Sequence, residues 1–417
     1  MLAILLLSTA FRNRFESQPL FTHEPRDLFG ADDQCLDIRN CRTIQDIIWS
    51  CLATVFACTW VAVHPNLPGP KDSGWITLKR QATTVIYALL APEFMAWWAM
   101  RQRIAASSLA HHFNEKFFPN GQPSRSVEWI HGSCENDHPG AWTLTHGFFL
   151  QMGGFVLQQH GKPVSVLTFQ RLVSLIEAGD IDFPMITESE ILDKSKGEFF
   201  TKLFVVVQTT WFVIQCITRW LTGLAVTELE VVALAFAILN IVTYSLWWQK
   251  PQNVRVGITV GVNATNIVPP QTLTCRSCGN RLGSVISDVD IDVEAGSIRI
   301  PMFYAHNLGS RILFVSIAFL FGGLHLISWS SEFPSKIEMW LWRSCALFVT
   351  TEPAVLLLYR RFWTHELNSI ADILVLISLT LYCCARLILI VLCWTAFRAL
   401  PPSAYRSVQW AVFFPHV

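Results

Sequence analysis

Charged residues are scarce in this chain, at 15% of its 417 residues, where an ordinary soluble domain carries roughly 25%. Hydrophobic residues reach 52%, so the deficit of charge predicts helices that face lipid. Lys and Arg together equal Asp and Glu together, at 31 each. This balance gives no reason to expect nucleic acid or a strongly acidic substrate as a partner. Membrane lipid is the partner that the composition favours.

Recognisable catalytic motifs are missing as well. The sequence contains no phosphate-binding loop, no GxSxG nucleophile elbow, no HExxH zinc helix and no dinucleotide-binding fingerprint, each of which would position a known chemistry. We therefore expect no cofactor and no metal. Internal repeats are not evident either. Their absence slightly favours an enzyme or accessory protein over a transporter built of repeated halves.

Long apolar runs are what the sequence has instead. Seven runs are long enough, at roughly 20 residues, to match the hydrocarbon core of a bilayer. Tryptophans lie near the ends of several runs, as in the aromatic belts at the headgroup level. The predicted fold is an all-α membrane protein with about seven transmembrane helices, at residues 44–63, 82–100, 200–217, 231–248, 308–329, 339–359 and 370–395.

The polar segments between these runs define the organisation of the chain. A tail with an apolar, signal-like start precedes the first span. Two long polar segments each follow an even-numbered span, so they form a small extramembrane layer on one face. The divisions are 1–43 (tail), 44–100 (helices 1–2), 101–199 (extramembrane), 200–248 (helices 3–4), 249–307 (extramembrane), 308–395 (helices 5–7) and 396–417 (C-terminal tail).

The orientation of this layer has two competing predictions. Lys and Arg near the span ends weakly favour the cytosolic side. The signal-like start, the pair Cys35 and Cys41, and the acceptor sequon at Asn263, a possible glycosylation site, favour the lumenal side. The expected location is an endomembrane or the plasma membrane, with the chain crossing several times.

Three predicted spans carry charges that are costly in lipid. Glu93 follows a proline in the second span, Glu352 precedes one in the sixth, and Arg386 lies inside the seventh as the natural counter-ion for one of these carboxylates. Arg343 is a second candidate for an ion pair, although it is near enough to the end of its span to reach the headgroups. The pattern indicates either a polar site between spans two, six and seven or ion pairs that only fix helix register.

Other polar residues have structural explanations beside functional ones. His146 is flanked by small and aromatic residues that could line a pocket, which makes it a third candidate acid or base. A histidine beside aromatics is, however, more often a packing residue. Glu228 and Glu230 open the fourth span and Asp46 opens the first, where a carboxylate favours a helix N-terminus.

Three shorter features lie in the polar segments. Thr187 and Glu190 form a predicted capping box that starts a helix. The apolar stretch 147–157 is too short to cross a bilayer, so we expect it at the interface or packed within the extramembrane layer. The pair Cys275 and Cys278 supplies only half of a zinc site, and a disulfide or free thiols are the simpler alternatives.

Several stretches resemble a large group of uncharacterised fungal multi-pass membrane proteins. The similarity covers nearly the whole chain and implies a fungal integral membrane protein, but it carries no catalytic residues over to this sequence. It rests on Asp46-Ile-Ile-Trp-Ser-Cys51 with Thr59-Trp60, Asp193-Lys-Ser-Lys-Gly197, Thr227-Glu-Leu-Glu230, Trp247-Trp248-x-Lys250-Pro251, Leu400-Pro-Pro and Phe414-Pro-His-Val417.

The function predicted from these residues is that of a membrane-embedded enzyme or accessory protein. It would act on a hydrophobic metabolite, such as an isoprenoid or a lipid, in fungal secondary metabolism. Glu93, Glu352 or His146 would serve as acid or base. The alternative is a small-molecule transporter or membrane sensor, in which the same carboxylates form a coupling pair.

Overall fold

The computed structural model describes residues 41–69, 72–119, 141–182, 184–195, 198–262, 311–363 and 369–410. Predictions for the signal-like start, Cys35, Asn263 and the Cys275–Cys278 pair lie outside the described residues. The chain divides into two compact units. The first comprises Met1–Cys58, Val205–Ile241 and Arg311–Val417, and the second comprises Thr59–Phe204 and Val242–Ser310.

Helices dominate both units. In chain order they are α1 (Ile44–Phe56), α2 (Gly74–Leu90), α3 (Pro92–Phe117), α4 (Leu144–Gln151), α5 (Phe169–Ala178), α6 (Glu188–Asp193), α7 (Glu198–Leu221), α8 (Glu228–Leu246), α9 (Arg311–His325), α10 (Lys336–Trp363) and α11 (Ser369–Thr395). Short helical turns continue α1 over Ala57–Val61, α9 over Leu326–Ser330 and α11 over Ala396–Ala399.

Capping boxes start several of the described helices. At α1 the Asp46 carboxylate accepts from the backbone N–H of Thr43 at 2.8 Å, and the Thr43 hydroxyl accepts from the N–H of Asp46 at 3.2 Å. Two backbone donors that the helix cannot satisfy are thereby paired. The same reciprocal bonds start α6, as predicted, and α8, at Thr187–Glu190 and Thr227–Glu230.

Among the residues that the structure describes, six helical stretches are long and apolar enough to cross a membrane, which differs from the predicted count of seven. Their outer faces carry exposed apolar side chains, among them Ile312 at 72% and Val355 at 61% exposure. The six stretches are Ile44–Val61, Phe200–Leu221, Glu228–Leu246, Ile312–Ser330, Lys336–Tyr359 and Ile373–Ala399.

The predicted second span, 82–100, is broken in the middle. Ala91 leaves helical geometry with φ −143° and ψ 69°, because the ring of the following Pro92 disfavours the α region for the residue before it. The first half of the predicted span therefore belongs to α2. The second half belongs to α3, whose opening turns are buried.

The second unit contains a small sheet, so the prediction of an all-α fold is wrong for this part of the chain. Strands β1 (Phe155–Gln159) and β2 (Lys162–Val166) pair antiparallel, and β3 (Ile258–Gly261) pairs parallel with β1. The hairpin turns at His160 and Gly161, whose φ values of 50° and 74° suit a tight two-residue loop.

The core of the second unit is aromatic and closely packed. The rings of Phe113 and Trp142 stack with their centroids 3.7 Å apart. A Cβ added at Gly147 would lie 2.1 Å from the carbonyl oxygen of Ala106, so only glycine lets α4 cross α3 here. The stretch 147–157, which runs through α4 into β1, is buried within this unit, in agreement with the prediction that it packs rather than crosses.

Candidate functional site

Arg386 and His325, both fully buried, pair within the first unit. His325 Nδ1 lies 2.9 Å from the carbonyl oxygen of Phe321, and because a carbonyl only accepts, Nδ1 carries the proton. Nε2 is then an acceptor, and Arg386 Nη1 donates to it at 3.1 Å. The guanidinium carbon also lies 4.4 Å from the ring centroid of Phe321. A neutral imidazole and an aromatic face therefore hold this cation among apolar helices.

Glu352 extends from α10 and is 5% exposed. Ser378 of α11 donates its hydroxyl to Glu352 Oε1 at 2.6 Å. Within the described part of the chain no cation forms an ion pair with this carboxylate, so the expected pairing with Arg386 is not observed. Glu352 is thus a buried carboxyl group held by a hydroxyl.

The other two charged candidates lie within about two turns of the start of their helices. Arg343 donates Nε and Nη2 to the carbonyl oxygen of Trp329, at 3.0 and 2.7 Å, and its guanidinium lies 5.4 Å from the ring centroid of Trp340. This is the arrangement expected of an arginine that reaches toward the headgroups.

Glu93 is the second residue of α3 and is buried, where the positive end of the helix dipole favours a carboxylate. Glu93 belongs to the second unit, whereas Glu352 and Arg386 belong to the first.

Both ring nitrogens of His146 form hydrogen bonds with backbone groups. Nδ1 accepts from the backbone N–H of Thr143 at 3.1 Å, and Nε2 lies 3.0 Å from the carbonyl oxygen of Ile186. Burial lowers the pKa of His146, so the neutral form that these bonds require is favoured. The ring caps α4 and fixes the segment before α6, which gives it a structural role and leaves neither nitrogen directed at a ligand.

Arg42 and Glu230 form a largely buried ion pair that the sequence reasoning did not identify. Arg42 Nη1 and Nη2 both bond the Glu230 carboxylate, the latter at 2.9 Å, and Arg42 Nε donates to the carbonyl oxygen of Ala404 at 2.7 Å. Glu230 also caps α8 through the N–H of Thr227. Glu230 therefore does more than the capping predicted for it, since through Arg42 it joins the start of α8 to the residues before α1, while Arg42 also holds the C-terminal segment.

Arg219, at the end of α7, binds the same C-terminal segment. Its guanidinium donates to the carbonyl oxygens of Arg406 at 2.7 Å, Ser403 at 3.1 Å and Ala225 at 3.1 Å. Cys41, which is disulfide-bonded, forms a backbone bridge with Arg406. The residues just before α1 and just after α11 are thereby fastened to one another.

Lys250 is fully buried in the second unit and is the other charged residue that sequence reasoning missed. Its Nζ donates to the carbonyl oxygen of His64 and to Gln102 Oε1 at 2.9 Å. The ring centroids of Trp98 and Trp247 lie 4.7 and 4.3 Å from Nζ. No carboxylate contacts the ammonium within the described residues, and burial lowers its pKa well below the usual range.

The network around Lys250 extends to polar side chains on both sides. His64 Nδ1 donates to the carbonyl oxygen of Ala62 at 2.6 Å, and burial together with the nearby Lys250 lowers the pKa of His64 to about 3. Gln102 Nε2 donates to Asn66 Oδ1 at 3.2 Å. These bonds tie the segment after the first span to α3 and to the end of α8. The sequence signal that could have pointed to Lys250 is the stretch Trp247-Trp248-x-Lys250-Pro251, which contributes to the resemblance.

Comparisons with known proteins give a family and no activity. Among the described residues, no group of His, Cys, Asp or Glu is arranged to hold a metal ion. The model of a family of unknown function (DUF8562) matches residues 32–286. No curated protein and no solved structure matches the chain.

Proposed function

This chain belongs to DUF8562, a family of unknown function, and we propose that it is a six-span membrane protein that acts on a hydrophobic metabolite. The apolar residues exposed on the six long helices support the membrane placement, because lipid would cover them. An isoprenoid or lipid-like molecule in fungal secondary metabolism is the substrate class, and the resemblance to fungal membrane proteins is what favours that setting.

A contact inside the first unit supports an even number of membrane crossings between Arg42 and Glu230. Arg42 precedes the first span and Glu230 opens the third, and their ion pair requires both ends to lie on one face. The spans at Ile44–Val61 and Phe200–Leu221 supply two crossings between them. A further crossing between residues 62 and 199 would separate Arg42 from Glu230 by the bilayer core of about 30 Å.

Six spans also bring the charge distribution, the signal-like start and the cysteine at position 41 into agreement on orientation. Both tails then share one face, and the connections after the first, third and fifth spans lie on the other. The disulfide at Cys41 favours an oxidising compartment for the tails, and the opposite face carries the larger number of cations near span ends. Those cations are Lys71, Lys79, Arg80, Lys194, Lys196, Lys250, Arg255, Arg311, Arg360 and Arg361. We therefore assign the long segments to the cytosol, where Asn263 would not be glycosylated.

Glycosylation mapping tests this topology. One acceptor tag is inserted within residues 1–40, and another is appended after Val417 in a separate variant. Both should give a glycosidase-sensitive mass increase, whereas Asn263→Gln should leave the mass of the parent protein unchanged. Glycosylation of a single tag would mean an odd number of spans. Glycosylation of Asn263 with neither tag modified would reverse the orientation.

The proposed activity rests on the surroundings of the buried Glu352 carboxyl group. The buried carboxylate of Glu230 has a bidentate cation, whereas Glu352 has a hydroxyl partner and no cation among the described residues. A carboxyl group in such surroundings can deliver a proton to a substrate from within the bilayer. Arg386 and His325 supply polar groups from α11 and α9 of the same unit. The proposal therefore keeps Glu352 and Arg386 from the predicted site and gives no role in it to Glu93 or His146.

Replacing Glu352 by Gln tests the activity in the native host. Loss of a general acid costs about 100-fold or more in rate, so we expect the product to fall to that extent and an unconverted precursor to accumulate in the membranes. Glu338→Gln is the matched control, since Glu338 lies on the same helix and pairs with the exposed Arg398. Lipid-soluble metabolites and protein abundance are measured together. A change in abundance alone would leave Glu352 a structural residue.

The alternative is a transporter or membrane sensor that uses Glu352 as a coupling group. Pro353 lies inside α10 and lacks the N–H that would complete the helix ladder, which gives this helix a place to bend beside the carboxylate. In that case Glu352→Gln would leave the metabolite fully processed but in the wrong compartment. The same metabolite profile, resolved by cell fraction, distinguishes the two functions.

A further inference from the structure

We propose that α2 lies along the cytosolic surface of the membrane and inserts its exposed face at the boundary between headgroups and acyl chains. This rests on the proposed membrane placement of the six spans. It makes α2, which contains the first half of the predicted second span, a lipid-binding surface helix.

Most of the large side chains that α2 exposes are apolar, although the exposed Lys79 lies among them. Trp75 is 73% exposed, Ile86 is 55% exposed and Leu78 is 45% exposed. At a helical repeat of 3.6 residues these three side chains share one side. The buried positions are small, at Thr84 and Ala88. A surface helix of a soluble protein has the opposite distribution, with its large apolar residues facing the core.

The first unit argues against α2 crossing the membrane. Its residues lie between Val61 and Phe200 in the chain, so a crossing there would place Arg42 and Glu230 on opposite faces despite their ion pair. The helix also contains Lys79 and Arg80 in its first half, where a span would bury both in hydrocarbon at a cost of several kcal/mol. The apolar face must therefore be covered without a crossing.

The short connection between the first span and α2 favours the bilayer as the environment that covers the apolar side chains of α2. Residues 62–73 alone join Val61 to α2, a length that reaches at most about 40 Å when fully extended. The helix contains cations and no Asp or Glu, which suits a cytosolic leaflet with anionic lipids. Trp75 and Tyr87 near its two ends are residues that prefer the headgroup level, and the exposed Lys79 can direct its ammonium into water beside them.

Photolabelling in the full chain tests the inference. A benzophenone amino acid replaces Ile86 in one variant, Ile377 in a second and Lys162 in a third. Ile377 is exposed on the long apolar helix α11, and Lys162 is exposed on strand β2 of the second unit. Each variant is reconstituted into vesicles of phosphatidylcholine with a minority of phosphatidylserine that carry a radiolabelled lipid, and then irradiated. Since an inserted helix face contacts acyl chains, we expect about tenfold more lipid adduct at Ile86 than at Lys162.

The three positions separate the possible failures. Adduct at Ile377 with none at Ile86 would overturn the lipid-binding role of α2 and leave the membrane placement intact. No adduct at either position would overturn the membrane placement on which the inference rests. A covalent dimer formed through Ile86 in place of lipid adduct would show that a second copy of the chain covers this face, and would also overturn the inference.

Discussion

Replacing Arg42 by Met should lower the free energy of unfolding by about 3–5 kcal/mol, because it leaves the Glu230 carboxylate buried without its cation. The side chain of Glu230 is 5% exposed and that of Arg42 is 17% exposed, so water cannot replace the lost partner. The change also removes the bond from Arg42 Nε to Ala404, which should loosen the C-terminal segment. Unfolding of the detergent-solubilised protein in rising dodecyl sulfate, followed by circular dichroism, measures the effect.

A double-mutant cycle separates the ion pair from the lost packing. Glu230→Gln keeps the size of the side chain and part of its capping role, and in the Arg42→Met background it removes the orphaned charge. We therefore expect the double variant to be more stable than Arg42→Met alone. Equal stability of these two variants would mean that Arg42 acts through its contacts with Ala404 and not through the charge of Glu230.

The pair of Arg398 and Glu338 provides a matched control in the same unit. Their side chains are 61% and 17% exposed, and exposed pairs contribute about 1 kcal/mol or less. Arg398→Met should therefore change stability far less than Arg42→Met. A similar loss in both variants would indicate that burial does not determine the strength of these pairs.

Hydropathy identified the long apolar helices but not the broken one. Spans such as Glu228–Leu246 have a mean hydropathy of 2.0, and such uniform runs are read reliably from composition. Around Ala91 the same average combined two different helices, one with an exposed apolar face and one with a buried apolar face. The distinction depends on the tertiary surroundings of α2 and α3, which a sliding window does not sample.

Local capping was predictable, whereas long-range pairing was not. Thr187 and Glu190 are three residues apart, and their hydroxyl and carboxylate can only satisfy the first turn of the helix between them. Arg42 and Glu230 are 188 positions apart, and in the sequence Arg42 reads as one more cation beside a span. The strands of the small sheet are equally hard to predict, because β1 pairs with β3 from a distant part of the chain.

The sequence identified several charged residues within apolar runs but did not show which of them has a functional role. Glu93, Glu352 and Arg386 each stand out from apolar neighbours, yet the sequence does not say which of them a helix end or a hydroxyl will satisfy. Lys250 was overlooked because a lysine followed by proline marks the end of a span. Its burial depends on Gln102 and on the backbone of His64, which approach it only in the folded chain.

Replacing Lys250 by Ala should lower the free energy of unfolding by about 3–5 kcal/mol, since deletion of a large buried side chain leaves a cavity. The cavity would lie between the rings of Trp98 and Trp247, and the carbonyl oxygen of His64 would lose its donor. Lys250→Met retains most of the volume and removes the donor to the carbonyl oxygen of His64, a loss of about 1–3 kcal/mol, while Gln102 Oε1 keeps the bond from Trp247 Nε1 at 3.1 Å. Dodecyl sulfate unfolding followed by tryptophan fluorescence reports both variants.

Lys202 is the matched control for Lys250. Its Nζ also bonds a carbonyl oxygen, that of Trp248 at 2.7 Å, and lies 5.3 Å from the ring centroid of Trp248. Lys202 is only partly buried, so Lys202→Ala should cost about 1 kcal/mol or less. If Lys250→Met proved as stable as the parent, the aromatic cage would need only an apolar chain of this length. An amine kept there at no benefit to folding would then point to a role for Lys250 in function.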